Sequence, residues 1–174
     1  IKPGMTEAEL TAEIDWQMLK HGAEGNSFAT AVFCRGPHNQ RGLENTVNRI
    51  TGGTLELGSA LAFDFGLVLD GWVSDFGRTV YIGEPNALML ETHRLVAEAQ
   101  RQAMRVMVGG TKTGREVDAA ARDYLAEHGY RKEFFHRLGH GIGIDVHERP
   151  FLSQLDDTVI QNGMTFTVEP SLWL

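Results

Sequence analysis

The sequence predicts a mixed α/β fold (α+β) in which antiparallel sheet is backed by helices and one structural unit occurs twice. Three observations lead there. First, Ala60 to Gly83, ALAFDFGLVLDGWVSDFGRTVYIG, reads as two strands about an Asp70-Gly71 turn. That dipeptide suits the positive φ angles of a two-residue hairpin. Second, Thr6-Glu7-Ala8-Glu9 and Thr113-Gly114-Arg115-Glu116 each carry the capping-box pattern that opens a helix. Third, these boxes lie at an offset of 107 positions (Thr6 to Thr113), and more than the boxes aligns at it. Ala12, His21, Gly22 and Phe28 fall on Ala119, His128, Gly129 and Phe135, while Leu10 matches Val117 and Met18 matches Leu125. A shared start, stop and buried stripe point to duplication, with repeats of about 1–83 and 109–174 in one domain spanning 1–174.

The elements follow in order. Pro3-Gly4 is a break, and Thr6 caps a helix that runs to about His21 and stops at Gly22. Leu10, Ile14, Trp16 and Met18 form its expected buried stripe, with the acids and Lys20 outside. Ser27 to Cys34 reads as a strand. Arg35 to Gly58, rich in Gly, Asn, Arg and Thr, reads as an irregular functional loop. After the hairpin, Pro85-Asn86 ends the strands. Ala87 to Val108 reads as a long helix closed by Gly109-Gly110, with Leu88, Thr92, Leu95, Val96, Ala99, Ala103, Val106 and Met107 as its stripe. The next helix opens at Thr113 and ends at Gly129. The closing run MTFTVEPSLWL is expected to be the second copy's first hairpin strand, with the chain stopping before its return strand.

Composition narrows the function classes. The 42% apolar and 22% charged content of these 174 residues is that of a globular chain able to bury a full core. A net charge of −7 argues against nucleic acid or an anionic membrane as the main partner. No apolar run of about 18 residues is present to cross a membrane. The single Cys34 cannot form an internal disulfide and reads as a small buried residue, in keeping with a cytoplasmic setting. The chain opens at Ile1, just before a capped helix, so an upstream domain is expected.

The hairpin carries the first chemistry. If Leu69 pairs with Trp72, Gly66 faces Asp75 and Asp64 lies one diagonal step away on the same face. Two ionised carboxylates among Leu61, Phe63, Phe65, Leu67, Val73 and Phe76 repel and resist burial, so a divalent cation is the simplest neighbour. Phe63, Phe65 and Trp72 read as packing residues. Downstream, FFHRLGHGIGIDVHERP places His136, His140 and His147 within twelve residues, and glycines 139, 141 and 143 permit close approach by a ligand or a strand. A His with two Asp and a Glu gives a mixed nitrogen and oxygen shell, better suited to Mn, Co, Fe or Zn than to Ca or Mg.

FDFGLVLDGWVSDFGRT, GHGIGIDVHERP and GMTFTVEP together resemble the pita-bread metallopeptidases, which include methionine aminopeptidase, aminopeptidase P, prolidase and creatinase. The likeness covers nearly the whole chain, and FHRLGHGIG and HERP are most similar to the Xaa-Pro peptidase branch. The resemblance implies a pseudo-twofold α/β fold with two divalent metal ions (Mn, Co or Zn). It implies that Asp64 chelates one metal, Asp75 bridges both, and His140 and Glu169 bind the second. His147 matches the family's active-site His, which binds substrate and supports the charge on the tetrahedral intermediate. Glu169 is also the implied general base, acting on a metal-bridging hydroxide nucleophile. Arg78 and Thr79 match the family's run after the second Asp and are expected to support Asp75.

The chain departs from the family pattern twice. The fifth ligand, a Glu in a following strand, does not occur before Leu174, so the polypeptide is expected to be truncated there, or the ligand to come from later residues or from another chain. The pocket His expected about seventeen residues before Asp64 is replaced by Asn45-Thr46-Val47-Asn48, which leaves His38 as the candidate substrate-binding substitute. His21, His93, His128 and His136 are left with helix-end or surface roles. The implied function is a metal-dependent exopeptidase cleaving Xaa-Pro bonds of short peptides with proline at P1′. No nucleic-acid or membrane partner is implied, and homodimerisation is left open. The alternatives are a non-catalytic binding module of the same fold, a methionine aminopeptidase-type enzyme, and a creatinase-type hydrolase that works without metal.

Overall fold

The computed structural model describes residues 1–38 and 53–174. Most of the predicted Arg35–Gly58 loop, including Asn45 to Asn48, therefore lies outside the described residues. The chain divides into two compact units, Ile1–Asn86 and Ala87–Leu174.

The first unit opens with helix α1, Glu7–Lys20. Its capping box is complete: the Glu9 amide donates to Thr6 Oγ1 at 3.1 Å, and the Thr6 amide donates to Glu9 Oε2 at 2.7 Å. His21 is the C-cap, and Gly22 takes the left-handed φ of 100° that terminates the helix. Leu10 and Met18 are buried, and Ile14 packs at the edge of the cluster that contains Leu10. Trp16 departs from the predicted stripe and is 53% exposed, with the Lys20 ammonium 4.5 Å from its ring centroid. Two residues beyond Ile14 is about 200° around a helix, so Trp16 lies on the opposite face. Glu7 departs the other way. It is fully buried, and its Oε1 accepts from the Cys34 amide at 3.1 Å. The fully buried Cys34 fills the small apolar role expected of it.

Strands β1 (Gly25–Asn26), β2 (Ala31–Arg35), β3 (Ala60–Phe65), β4 (Leu67–Leu69), β5 (Trp72–Val73) and β6 (Phe76–Tyr81) follow. The predicted hairpin register is the one observed. Leu69 pairs with Trp72, Val68 with Val73, Phe65 with Phe76 and Asp64 with Gly77. Asp70 and Gly71 have φ of 50° and 75°, as a two-residue turn requires.

The hairpin read as two strands is divided between two sheets, ordered β2-β3-β6 and β1-β4-β5. The hairpin passes between them at Gly66 and Ser74. There the Leu67 amide donates to the Ser74 hydroxyl at 3.0 Å rather than to the Ser74 carbonyl, which accepts from Ser27 Oγ at 2.8 Å. The Ser27 amide donates to the Gly66 carbonyl at 3.0 Å. A Cβ at Gly66 would overlap the Ser74 carbonyl and Ser27 Oγ, so only glycine fits the crossing. The same bonds draw Ser27 out of the predicted Ser27–Cys34 strand, which begins at Ala31. Trp72, expected to pack, is 62% exposed on β5, whereas Phe63 is buried.

The second unit contains α2 (Ala87–Val106), α3 (Gly114–Glu127), β7 (Gly139–Gly141) and β8 (Glu148–Leu152). Leu95, Ala99 and Ala103 of α2 pack with Val117, Ala121 and Leu125 of α3, where the alanines allow the helices to approach closely. Leu88, expected in the stripe, is half exposed. β7 pairs with β8 on one side. On its other side it meets the MTFTVE run. Ile142 N donates to Thr165 O at 3.2 Å, Thr167 N to His140 O at 2.9 Å, and Glu169 N to Leu138 O at 2.8 Å.

The two units repeat local detail. Thr113 and Glu116 form a second complete box, His128 is the C-cap, and Gly129 has φ 91°. Leu55 N donates to Met5 O at 2.7 Å in the first unit, and Ile160 N to Lys112 O at 2.8 Å in the second. Leu55 to Ile160 is two positions short of the helix offset, the same slip that separates Glu169 from the shifted Asp64.

Candidate functional site

In the first unit the two predicted carboxylates flank the sheet crossing. Asp64 is half-buried near the end of β3, between Ala31 of β2 and Gly77 of β6. The glycine opposite leaves its side of that face without a side chain. Asp75 is half-buried immediately after Ser74, where the backbone turns from β5 into β6. Its direction therefore depends on the Ser74 contacts as well as on the register. Arg78, expected to support Asp75, donates to the Gly77 carbonyl at 2.7 Å and lies over the Phe76 ring at 4.1 Å. Thr79 is exposed on β6, opposite Ala62.

His38 is turned to a different partner. Its Nδ1 lies 2.8 Å from Glu56 Oε2, and its amide donates to Glu56 Oε1 at 2.8 Å. That carboxylate holds the exposed imidazole above its ordinary range, mainly through the hydrogen bond.

In the second unit three predicted residues come together. His140 sits on β7 with its side chain 1% exposed. Its Nδ1 is 2.9 Å from the Gly141 carbonyl, which can only accept. The ring proton is thereby assigned to Nδ1, and Nε2 presents a lone pair. Nε2 faces Glu169 Oε1 at 3.1 Å. A lone pair and a carboxylate at that distance require a cation, either a proton or a metal, to hold them together. The tautomer, the burial and the mixed N/O donors all fit a divalent transition metal.

The Glu169 carboxylate is further oriented by Thr167, whose hydroxyl donates to Oε1 at 3.0 Å while accepting from the His140 amide at 3.1 Å. A Cβ at Gly139 would overlap the Thr167 carbonyl, and one at Gly141 would lie 2.8 Å from the Glu148 carbonyl. Glycine on either side of His140 lets both neighbouring backbones close on it. His147 is exposed, with its ring set edge-on to His140 at a centroid distance of 4.4 Å.

Sequence reasoning missed the residues that fix this arrangement. Asp118 and Arg122, one turn apart on α3, form a buried bidentate pair at 2.7 and 2.9 Å. Asp118 Oδ1 also accepts from Leu138 N at 3.0 Å, and Arg122 donates to the carbonyls of Phe134 and His136 at 2.8 and 2.7 Å. The pair thus fixes the segment leading into β7. The i, i+4 spacing was the available signal for it, and for Thr167 it was placement two residues from Glu169, on the same face of an extended run. His136, given a surface role by sequence, is half-buried. Its Nδ1 meets the Arg137 carbonyl at 2.7 Å and its Nε2 the Ser171 hydroxyl at 2.6 Å. Burial is the largest influence and lowers its pKa. His21 and His128 occupy the helix ends expected of them.

Comparison with known proteins gives a consistent result. Residues 1–174 match metallopeptidase family M24. The chain is 34% identical over 174 residues to the Xaa-Pro dipeptidase of Pyrococcus furiosus, covering 100% of this chain and 48% of that protein. It is 37% identical over 179 residues to the Xaa-Pro dipeptidase of Lactobacillus helveticus, covering 100% of this chain and 46% of that one. Among solved structures, the X-Pro aminopeptidase of Thermotoga maritima superposes with a TM-score of 0.90 at 38% identity, over 100% of this chain and 48% of that one. The prolidase of Pyrococcus furiosus superposes with a TM-score of 0.87 at 34% identity, over 100% and 50%. The chain spans about half the length of the relatives it matches. Its fold is of the pita-bread type, and no described helix is long and apolar enough to cross a membrane. By its match over every residue, the chain belongs to metallopeptidase family M24, a membership that implies divalent metal ions.

Proposed function

We propose that the protein is a metal-dependent exopeptidase that hydrolyses Xaa-Pro bonds in short peptides, with Asp64, Asp75, His140 and Glu169 holding two divalent ions. The observation that carries this reading is the His140–Glu169 pair: a buried imidazole whose Nδ1 is tied to a carbonyl and whose Nε2 faces a carboxylate at 3.1 Å. The names of the relatives support the Xaa-Pro preference. Manganese, cobalt and zinc all suit the donor set, and a buried lone cysteine suits a cytoplasmic setting. Bound divalent cations would acidify a water to near neutral pH and polarise the scissile carbonyl. Glu169 takes the proton of the attacking water and returns it to the leaving proline nitrogen. A neutral His147 donates a hydrogen bond to the oxyanion. His38 is proposed as a further substrate contact.

The test is a peptide panel with added Mn, Co or Zn on the full-length protein, comparing Xaa-Pro dipeptides, longer Xaa-Pro peptides and Met-initiated peptides. Xaa-Pro cleavage is expected, and Asp75→Ala abolishes it while the circular dichroism spectrum is retained. Release of Met alone would favour the methionine branch, and unchanged turnover in Asp75→Ala would remove Asp75 from the ligand set. Absence of bound metal after Mn loading would exclude the enzymatic reading.

A further inference from the structure

We propose that Glu148 is a positioning residue for His147, a role that rests on the reading of His147 as the oxyanion donor. Glu148 opens β8, directly after His147, and pairs with Gly141. One of its carboxylate oxygens, Oε1, accepts from two consecutive amides, Ile144 at 2.7 Å and Asp145 at 2.9 Å. Those amides belong to the turn that delivers His147. The carboxylate thus clamps the connection between β7 and β8 from its far end. Bonds from backbone amides to an ionised carboxylate are of the strong, charge-assisted kind.

Gly143 completes the clamp. A Cβ there would lie 3.1 Å from each Glu148 carboxylate oxygen, closer than side chains normally tolerate. The glycine lets the carboxylate lie against the turn. The need for the clamp follows from the site. His140 lies on β7 itself, and the exposed His147 lies on the connection of irregular backbone that the carboxylate holds. Its ring must remain edge-on to His140 at 4.4 Å. Displacement of a catalytic group by about 1 Å can reduce rate on the order of 100-fold, so fixing the turn affects rate rather than metal binding.

The test compares Glu148→Ala, Glu148→Gln, His147→Ala and the His147→Ala/Glu148→Ala double variant in the full-length protein. Three readouts are followed: amide exchange at Ile144 and Asp145, the His147 imidazole resonances, and Xaa-Pro dipeptide kinetics with bound metal quantified. In Glu148→Ala, protection of both amides falls more than about tenfold, the His147 resonances shift, and kcat/KM falls about 10- to 100-fold at unchanged metal content. Glu148→Gln keeps an oxygen acceptor and retains most of all three. In the His147→Ala background, Glu148→Ala adds less than about twofold, because the two residues act as one unit.

Unchanged exchange in Glu148→Ala, or an equal loss in both backgrounds, overturns the proposal. Gly143→Ala, which crowds the same carboxylate, serves should Glu148→Ala not fold; it is expected to shift the His147 resonances, and a spectrum identical to wild type overturns the proposal as well. A wild type that cleaves no peptide overturns the proposed function, while the exchange and resonance measurements still decide the clamp.

Discussion

Removing the Asp118 carboxylate is expected to destabilise the second unit and to weaken the site at a distance. Asp118 is fully buried and Arg122 is 11% exposed, so neither charge has water to fall back on. Asp118→Ala leaves the guanidinium without its counter-charge and Leu138 N without its acceptor. Breaking a buried pair from one side costs about 3–5 kcal/mol. Arg122 keeps the carbonyls of Phe134 and His136 and its stack 4.3 Å over the Phe134 ring. Those remaining partners favour the lower end, about 3 kcal/mol. With a urea m-value of about 2 kcal/mol/M, the midpoint falls by roughly 1.5 M.

Urea unfolding of the purified wild type and variant, followed by circular dichroism, measures this shift. Asp118→Leu combined with Arg122→Met removes both charges and is expected to recover most of the loss. Because Leu138 O also accepts from Glu169 N, Asp118→Ala is expected to weaken the binding of a divalent cation at the proposed site too. A midpoint within about 0.3 M of wild type would refute the view that this pair secures the segment, since that corresponds to well under 1 kcal/mol.

Two other substitutions probe the structure in independent ways. Thr167→Val removes the hydroxyl between His140 and Glu169 and is expected to weaken binding of an added divalent cation (Mn, Co or Zn) about 10- to 100-fold by calorimetric titration, with Thr167→Ser near wild type; equal affinity in all three would dismiss the bridge. Burial works to raise the Asp156 pKa, but hydrogen bonds from Thr158 and the Phe151 amide outweigh it and the net effect is a lowered value. Its stabilising contribution is therefore present above the ordinary Asp value of 3.8 and is lost as pH falls through the folded-state value. The stability advantage of wild type over Asp156→Asn is expected at pH 7 and shrinks below about pH 4; a gap that stays constant down to pH 3 would contradict that linkage.

Much of the fold was legible because its signals are local. A capping box needs a Thr and a Glu three residues apart, a two-residue turn needs Asp70-Gly71, and the register beyond it follows from counting. Those features bring Asp64 opposite Gly77 and leave Asp75 two positions nearer the turn. The family motifs likewise named His140, His147 and Glu169 from short runs. The amino-acid sequence by itself thus determined the helix limits, the hairpin register and the residue types offered to a metal.

The tertiary structure decided what depends on partners far along the chain. Ser27 lies 47 residues before Ser74, yet its hydroxyl takes the Ser74 carbonyl and splits the hairpin between two sheets. Asp118 reaches Leu138 across 20 residues and Glu7 reaches Cys34 across 27, which is why a helix acid is buried at each place. The His140 tautomer follows from a carbonyl direction, and its orientation toward Glu169 follows from Thr167. The physical reason is common to all of these: a buried polar group must find a partner, and composition and spacing state the need without naming which residue the folded backbone brings to meet it.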